Sequence, residues 1–177
     1  LSLHDALPIS MIENLLDASR LQAGGLKLNL ADLALNAFVE RLAERFRTQI
    51  ARHTIQVDFP SDFPIVMADE ARLGQVLSNL LSNAIKYSPE GGEIRLSGQV
   101  RNDQVIMCVQ DDGPGIAAGD IPHIFDRFYR ADEASRTTKG AGLGLYLTRA
   151  IIEAHGGRIW VDPRPGDGAR ICFSLPR

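Results

Sequence analysis

Glu93-Ile94-Arg95-Leu96-Ser97-Gly98-Gln99-Val100-Arg101-Asn102-Asp103-Gln104-Val105-Ile106-Met107-Cys108-Val109-Gln110-Asp111-Asp112-Gly113-Pro114-Gly115 carries two strand-like runs, Glu93 to Val100 and Val105 to Gln110, joined by an Arg-Asn-Asp turn. Upstream, Asp69 is placed to cap a helix whose apolar stripe is Leu73, Val76, Leu77, Leu80, Leu81 and Ala84, closed by Ser88-Pro89-Glu90-Gly91-Gly92. Further upstream, Leu26 to Leu30 alternates like a strand. Asp32 then reads as the cap of a helix bearing Leu35, Phe38, Val39, Leu42, Phe46 and Ile50, and Thr54 to Phe59 alternates again. Downstream, Ala117 to Lys139 is polar and loop-rich, with a short helix expected over Ile121 to Tyr129. Leu143 to His155 reads as a helix ended by Gly156-Gly157, and Arg158 to Val161 and Ala169 to Leu175 as closing strands. Strands clustered beside helices, with few alternating βαβ units, predict an α+β two-layer sandwich: a mostly antiparallel sheet under a helical layer.

At 177 residues the chain can bury one good core with a small appendage. A net charge of -3 gives no basic footprint, so no nucleic-acid partner is expected. No apolar run approaches the roughly 18 residues of a membrane-spanning helix, so this segment is expected to make no membrane contact. Cys108 and Cys172 lie in apolar alternating runs without metal-like spacing, and a reduced, buried pair is expected because a core of this size needs no staple.

Residues Leu1 to Ser10 lack the basic start and small-residue cleavage site of a signal peptide. Leu1 to Ile9 instead translates one frame of a common short-read sequencing adapter, so residues 1–10 are expected to be a cloning or assembly scar. Native sequence would then begin near Ser10 or Met11 and extend further upstream. Met11 to Ala23 has helical spacing, ended by Gly24-Gly25. So short a helix is marginal alone; it reads either as an arm packed on its own domain or as the stump of a dimerisation hairpin.

Four segments carry the chemistry. Asn79 and Asn83 are four apart, so their carboxamides share a helix face, and amide oxygens are hard ligands suited to Mg²⁺ that already carries phosphate oxygens. Lys86 can meet phosphate charge and Tyr87 can lie against a nucleotide. Asp111 ends an apolar strand and opens the Gly113-Pro114-Gly115 turn, where a carboxylate can accept a hydrogen bond from an exocyclic amine; an acidic β-turn is the plainer reading. Gly140, Gly142 and Gly144 precede a helix whose N-terminal N–H groups can hold phosphates, but a polar loop precedes them where a Rossmann motif needs a strand. Phe125 and Phe128 could edge a mobile lid over Gly119 to Lys139 or simply join the core, and Arg127 and Arg130 could reach a phosphate. His53, His123 and His155 have no nucleophile or metal partner at readable spacing and are taken as structural.

With these motifs quoted, residues from Met11 to Arg177 resemble the C-terminal part of a bacterial sensor histidine kinase. Asn79 to Tyr87, Asp111 to Gly115, Phe125 to Phe128 and Gly140 to Leu145 match its asparagine, first glycine, phenylalanine and second glycine boxes. The resemblance implies a Bergerat-type (GHKL) ATP-binding fold over residues 26–177, with ATP and Mg²⁺ as cofactors. It implies metal ligation by Asn83 with Asn79 lining the metal and phosphate site, a catalytic set of Asn79, Asn83, Lys86 and Arg130, and adenine recognition by Asp111. It further implies nucleotide contacts from Asn83, Lys86, Tyr87, Gly113, Gly115, Ile116, Phe128, Gly140, Gly142, Leu143, Gly144 and Leu145. Residues 11–25 resemble the end of the second helix of the dimerisation and phosphoacceptor hairpin, implying a homodimer, a response-regulator receiver domain as partner, and a cytoplasmic domain of a membrane-anchored sensor. His4 is rejected as the acceptor, because only about ten residues separate it from Leu15, too few for a helix, a turn and a return at 1.5 Å per residue.

ATP-hydrolysing relatives of this fold typically place a glutamate general base at the position of Asn79. Asparagine cannot take the proton, and it suits a histidine nucleophile that supplies its own lone pair. The expected function is therefore ATP:protein-histidine phosphotransfer, to a histidine absent from this segment. The alternatives are a nucleotide-binding or dimerisation module without autonomous activity and, less favoured, an ATPase.

Overall fold

The structure is a computed structural model that describes residues 14–21, 25–130, 142–163 and 168–177. The adapter-like start, Gly24, Gly140 and the 131–139 part of the expected lid lie outside the described residues. A short helix α1 (14–21) is followed by β1 (Ala31–Ala34), α2 (Leu35–Arg47), β2 (His53–Asp58), β3 (Ile65–Ala68), α3 (Glu70–Tyr87), β4 (Gly92–Arg101) and β5 (Gln104–Asp111). Then come α4 (Gly144–Ala154), β6 (Arg158–Val161) and β7 (Arg170–Pro176). Five strands form one sheet in the order β2-β4-β5-β7-β6, parallel between β2 and β4 and antiparallel elsewhere, while β1 and β3 pair separately. This is the expected α+β sandwich.

Strand alternation sorts the side chains. Ile94 and Leu96 of β4, Val105, Met107 and Val109 of β5, and Ile171, Phe173 and Leu175 of β7 face the helices and share one core with Leu35, Val39, Leu73, Leu77, Leu81 and Ile152. Asp111 continues the inward series of β5, so a carboxylate arrives on the helix side of the sheet at the strand's end. The other face carries a small cluster of Ile106, Cys108, Cys172 and Trp160. Asp69 caps α3 as the sequence predicts, its Oδ1 accepting from Arg72 N at 3.0 Å and its Oδ2 from Asn29 N at 2.9 Å. Burial alone would raise the Asp69 pKa, but these backbone hydrogen bonds outweigh it and hold it low. Asp69 N–H in turn donates to His155 Nε2, whose Nδ1 donates to Ile151 O at 2.7 Å, which locks α4 to the start of α3.

Four expectations are corrected. Leu26 to Leu30 is not a strand; pairing begins at Ala31, opposite Ala68 of a strand the sequence reading missed. Asp32 therefore sits inside β1 opposite Met67 and does not cap α2, which starts after Ala34 without a side-chain cap. Residues 121–129 form successive turns, not a helix. Pro122 lacks an N–H, the bonds from His123, Asp126 and Tyr129 reach back three residues, and Phe128 has φ +64°. Cys108 and Cys172 are joined by a disulfide: the β5–β7 register sets them directly opposite on the outer face, a juxtaposition that neither core size nor spacing reveals.

Candidate functional site

α3 buries Leu73, Leu77, Leu80, Leu81 and Ala84, and this fixes which edge of the helix stays open. Asn79 and Asn83 fall on that edge, both half-buried. Asn79 Nδ2 donates to Thr148 Oγ1 at 2.9 Å, and Thr148 Oγ1 donates to Gly144 O at 2.9 Å. A Cβ at Gly144 would overlap Asn79 Oδ1, so the second glycine segment lies directly on the first asparagine. Among the described residues none hydrogen-bonds the Asn83 carboxamide. One turn on, Lys86 is half-buried with Nζ 5.1 Å from the Tyr87 ring centroid, and Tyr87 is exposed. Burial, aided by the charge of Arg130, lowers the Lys86 pKa, so the structure brings Lys86 and Arg130 into one electrostatic neighbourhood.

Asp111 is buried. Its Oδ1 accepts from Gly113 N at 2.8 Å and Ala169 N at 3.2 Å, which leaves Oδ2 as the available acceptor. Burial raises its pKa against the opposing pull of these N–H groups; Asp112 adds to the rise and His53 opposes it. A Cβ at Gly113 would stand 2.8 Å from Tyr87 O, so the first glycine turn backs onto the end of α3. Gly115 has φ +80° and lies beside Gly168. Asp112 points elsewhere, its Oδ2 accepting from Glu93 N at 2.8 Å.

The phenylalanine segment splits. Phe125 is buried, whereas Phe128 is 55% exposed beneath the guanidinium of Arg127, so only the second ring is open to a ligand. Phe128 N donates to Gly142 O at 3.0 Å, which ties this segment to the second glycine segment; Gly142 itself has φ +68°. Ile116 and Leu145 are partly buried against the main core, and Leu143 is buried with Ala18 and Leu147. Three of the four segments thus converge on the open edge of α3, and the fourth joins them through Gly142. Gly140 lies outside the described residues. His53 bonds Ser88, His155 bonds Asp69, and exposed His123 lies 3.1 Å from Asp126.

Two participants escaped the sequence reading. Thr148 sits in the apolar stripe of α4 and looks like a core position; only its spacing of four from Gly144 hinted at a back-bond. Ala169 acts through its backbone N–H, for which a sequence holds no signal, although Gly168 beside it has φ +72°. A cavity of about 300 Å³ lined by Phe125, Asp126, Arg127, Tyr146, Arg149, Ala150 and Glu153 includes neither asparagine nor Asp111, and its Arg149 already pairs with Glu153 at 2.8 Å. Among the described residues no group of three or more His, Cys, Asp or Glu is placed to hold a metal, while the unbonded Asn83 carboxamide has a hard oxygen that fits a Mg²⁺ already carrying phosphate oxygens and water. Among them, too, no helix is long and apolar enough to cross a membrane.

The sequence profile of the histidine kinase-, DNA gyrase B-, and HSP90-like ATPase family matches residues 68–177. The chain is 36% identical over 175 residues to the sensor histidine kinase WalK of Bacillus subtilis, covering 95% of this chain and 28% of that protein. It is 44% identical over 136 residues to the adaptive-response sensory kinase SasA of Nostoc sp., covering 76% of this chain and 33% of that protein. Full-length ShkA in complex with AMPPNP superposes with a TM-score of 0.81 at 31% identity, over 94% of this chain and 35% of that one. The catalytic domain of the histidine kinase ThkA superposes with a TM-score of 0.74 at 30% identity, over 84% of this chain and 96% of that one. The chain spans about a third or less of the length of these curated relatives.

Proposed function

The chain belongs to the histidine kinase-, DNA gyrase B-, and HSP90-like ATPase family, among its sensor histidine kinases, and from that premise we propose that it binds ATP with Mg²⁺ and transfers the γ-phosphoryl to a histidine. That histidine lies on a helical hairpin outside residues 14–177, and a response-regulator aspartate is the onward acceptor. The observation that carries this reading is the Asp111 carboxylate, with one oxygen held by two backbone N–H groups and the other left to accept from the adenine amine. Crystallised ShkA with AMPPNP supports the same ligand class.

Each side chain then has a task. Asp111 selects adenine over guanine, which offers a carbonyl where adenine offers an amine. Asn79 and Asn83 present carboxamides to the metal and phosphate site, and Mg²⁺ would offset charge on the phosphoryl oxygens. Lys86 and Arg130 supply cations for the phosphates, and phosphate charge offsets the burial and the Arg130 repulsion that lower the Lys86 pKa. Tyr87, Ile116, Phe128, Leu143 and Leu145 form or support the walls, while Gly113, Gly115, Gly140, Gly142 and Gly144 let backbone approach the ligand. An asparagine at position 79 gives water no general base, so phosphotransfer outranks hydrolysis. Residues 11–25 are read as the end of the hairpin's second helix: within them α1 exposes Leu15 and Leu16, which supports a missing helical partner in a homodimer.

The chain is tested with Mg²⁺-ATP and a separately expressed histidine-bearing hairpin from the parent gene. Binding that Asn83→Ala abolishes, with phosphorylation of the hairpin histidine, is expected. Absence of nucleotide binding would refute the reading. Binding without transfer would leave a nucleotide-binding module.

A further inference from the structure

The structure assigns to Thr148 the role of a positioning residue that fixes which face of the Asn79 carboxamide meets the metal and phosphate site, an inference that rests on the nucleotide-site reading above. An amide side chain can sit with its oxygen or its nitrogen forward, and the two differ by a twofold flip that reverses its chemistry from acceptor to donor. Here the hydrogen-bond chain decides the flip. Thr148 is 1% exposed and has a single hydroxyl hydrogen, which goes to Gly144 O at 2.9 Å, one turn earlier in α4. Its lone pairs are then all that face Asn79, so the atom 2.9 Å away must be the donor Nδ2. Oδ1 lies beside Gly144, where a Cβ would overlap it.

Gly144 supplies the space and Thr148 the orientation. Asn79 therefore offers an oxygen, the atom that can bond Mg²⁺ or a water bound to it. With the amide reversed, NH₂ would face the cation. Valine at position 148 keeps the shape and burial of threonine but has no acceptor, so Nδ2 loses its partner and the carboxamide is free to turn. The effect should be confined to the metal-dependent part of nucleotide affinity, because Thr148 bonds Asn79 and Gly144 whereas Asp111 bonds Gly113 and Ala169.

The test titrates the full chain with ADP by calorimetry, once in excess Mg²⁺ and once in chelator, for the unmodified protein, Thr148→Val, Thr148→Ala and Thr148→Ser. Thr148→Val and Thr148→Ala are expected to weaken binding in Mg²⁺ about three- to tenfold, the scale of one lost hydrogen bond, with binding in chelator within about twofold of the unmodified chain. Thr148→Ser, which keeps the hydroxyl, should restore the Mg²⁺ value. The Asn79 side-chain NH₂ resonances should move on Thr148→Val without nucleotide and stay in place on Thr148→Ser. Equal losses in Mg²⁺ and chelator, no loss in Mg²⁺, or unmoved Asn79 resonances would overturn the inference while leaving the site standing. Failure of the unmodified chain to bind ADP under either condition would overturn the nucleotide-site reading and this inference with it.

Discussion

Asp111 works against the fold that holds it. Its folded pKa is raised, so relative to the unfolded chain it favours the neutral form; its stabilising contribution is full below the unfolded value near 4 and is lost as pH rises through the higher folded one. At neutral pH the buried carboxylate is a cost. Asp111→Asn should therefore raise the melting temperature of the ligand-free chain, since an amide oxygen still accepts from Gly113 and Ala169. The amide nitrogen would then face the adenine amine, donor against donor, and ATP affinity should fall at least about tenfold, the scale of a lost hydrogen bond to a charged group. Scanning calorimetry beside ATP titration checks both; lower stability with unchanged affinity would contradict the assignment. Lys86 predicts a second pH effect. Because burial and Arg130 lower its pKa, it loses its proton earlier on the alkaline side than a surface lysine, and ATP affinity should decline there. Lys86→Gln should flatten that limb. Both side chains were legible as candidates, Asp111 from its place between strand and glycine turn and Lys86 from its nearness to the asparagines. Arg130 was legible as a candidate too, but Ala169 was not, because 58 residues separate it from Asp111 and only the folded sheet joins them.

At the level of elements, strong periodicity was read correctly and weak periodicity was not. The stripes of α2, α3 and α4 and the runs of β4, β5 and β7 each span enough residues to define a period. β1 and β3 have four residues each and exist because they pair with one another, so local pattern could not find them. The same limit explains the cysteines: alternation placed Cys108 and Cys172 in strands, but only the register set them opposite each other. That bridge closes a sequence separation of 64 residues, and reduction should destabilise the chain by up to about 4 kcal/mol in the chain-entropy account. Thermal melts with and without a dithiol reductant, compared with the Cys108→Ser/Cys172→Ser double variant, measure it; equal melting temperatures would show that the bridge contributes nothing. The joint between α3 and α4 gives a sharper expectation. Gly144→Ala drives a methyl into Asn79, so nucleotide binding should be lost while α4, gaining helix propensity, keeps its far-ultraviolet signal.

Across the whole molecule, α1 is the element with one face docked on the domain and the other turned outward. Asn14, Asp17, Ala18 and Leu21 recur at helical spacing and form the docked face. Asp17 accepts from Arg72 Nη1 at 2.7 Å and Gln75 Nε2 at 3.0 Å, and Ala18 packs with Leu143 and Leu147 at the base of the second glycine segment. The sequence reading held open an arm packed on its own domain and the stump of a hairpin; the docked face fits the first, and the outward Leu15 and Leu16 leave the second as a proposal. A helix as short as the eight described residues of α1 is marginal undocked, so the Asp17–Arg72 pair is expected to decide whether it is structured. Burial alone would raise the Asp17 pKa, but the hydrogen bonds from Arg72 and Gln75 and the Arg72 charge outweigh it and leave it lowered. Its stabilising contribution is therefore present above the unfolded value near 4 and is lost as pH falls through the folded one. Asp17→Asn should reproduce that loss at neutral pH. Because α1 would melt away and leave Arg72 to solvent, the core should keep its melting temperature within about 2 °C, a change below 1 kcal/mol for a chain of this size. Hydrogen exchange over 14–21 should then rise toward the unfolded rate, while protection of β5 and α3 stays in place. Exchange over 14–21 that matches the unmodified chain would mean that Ala18 and Leu21 alone hold the helix and that the ion pair is incidental.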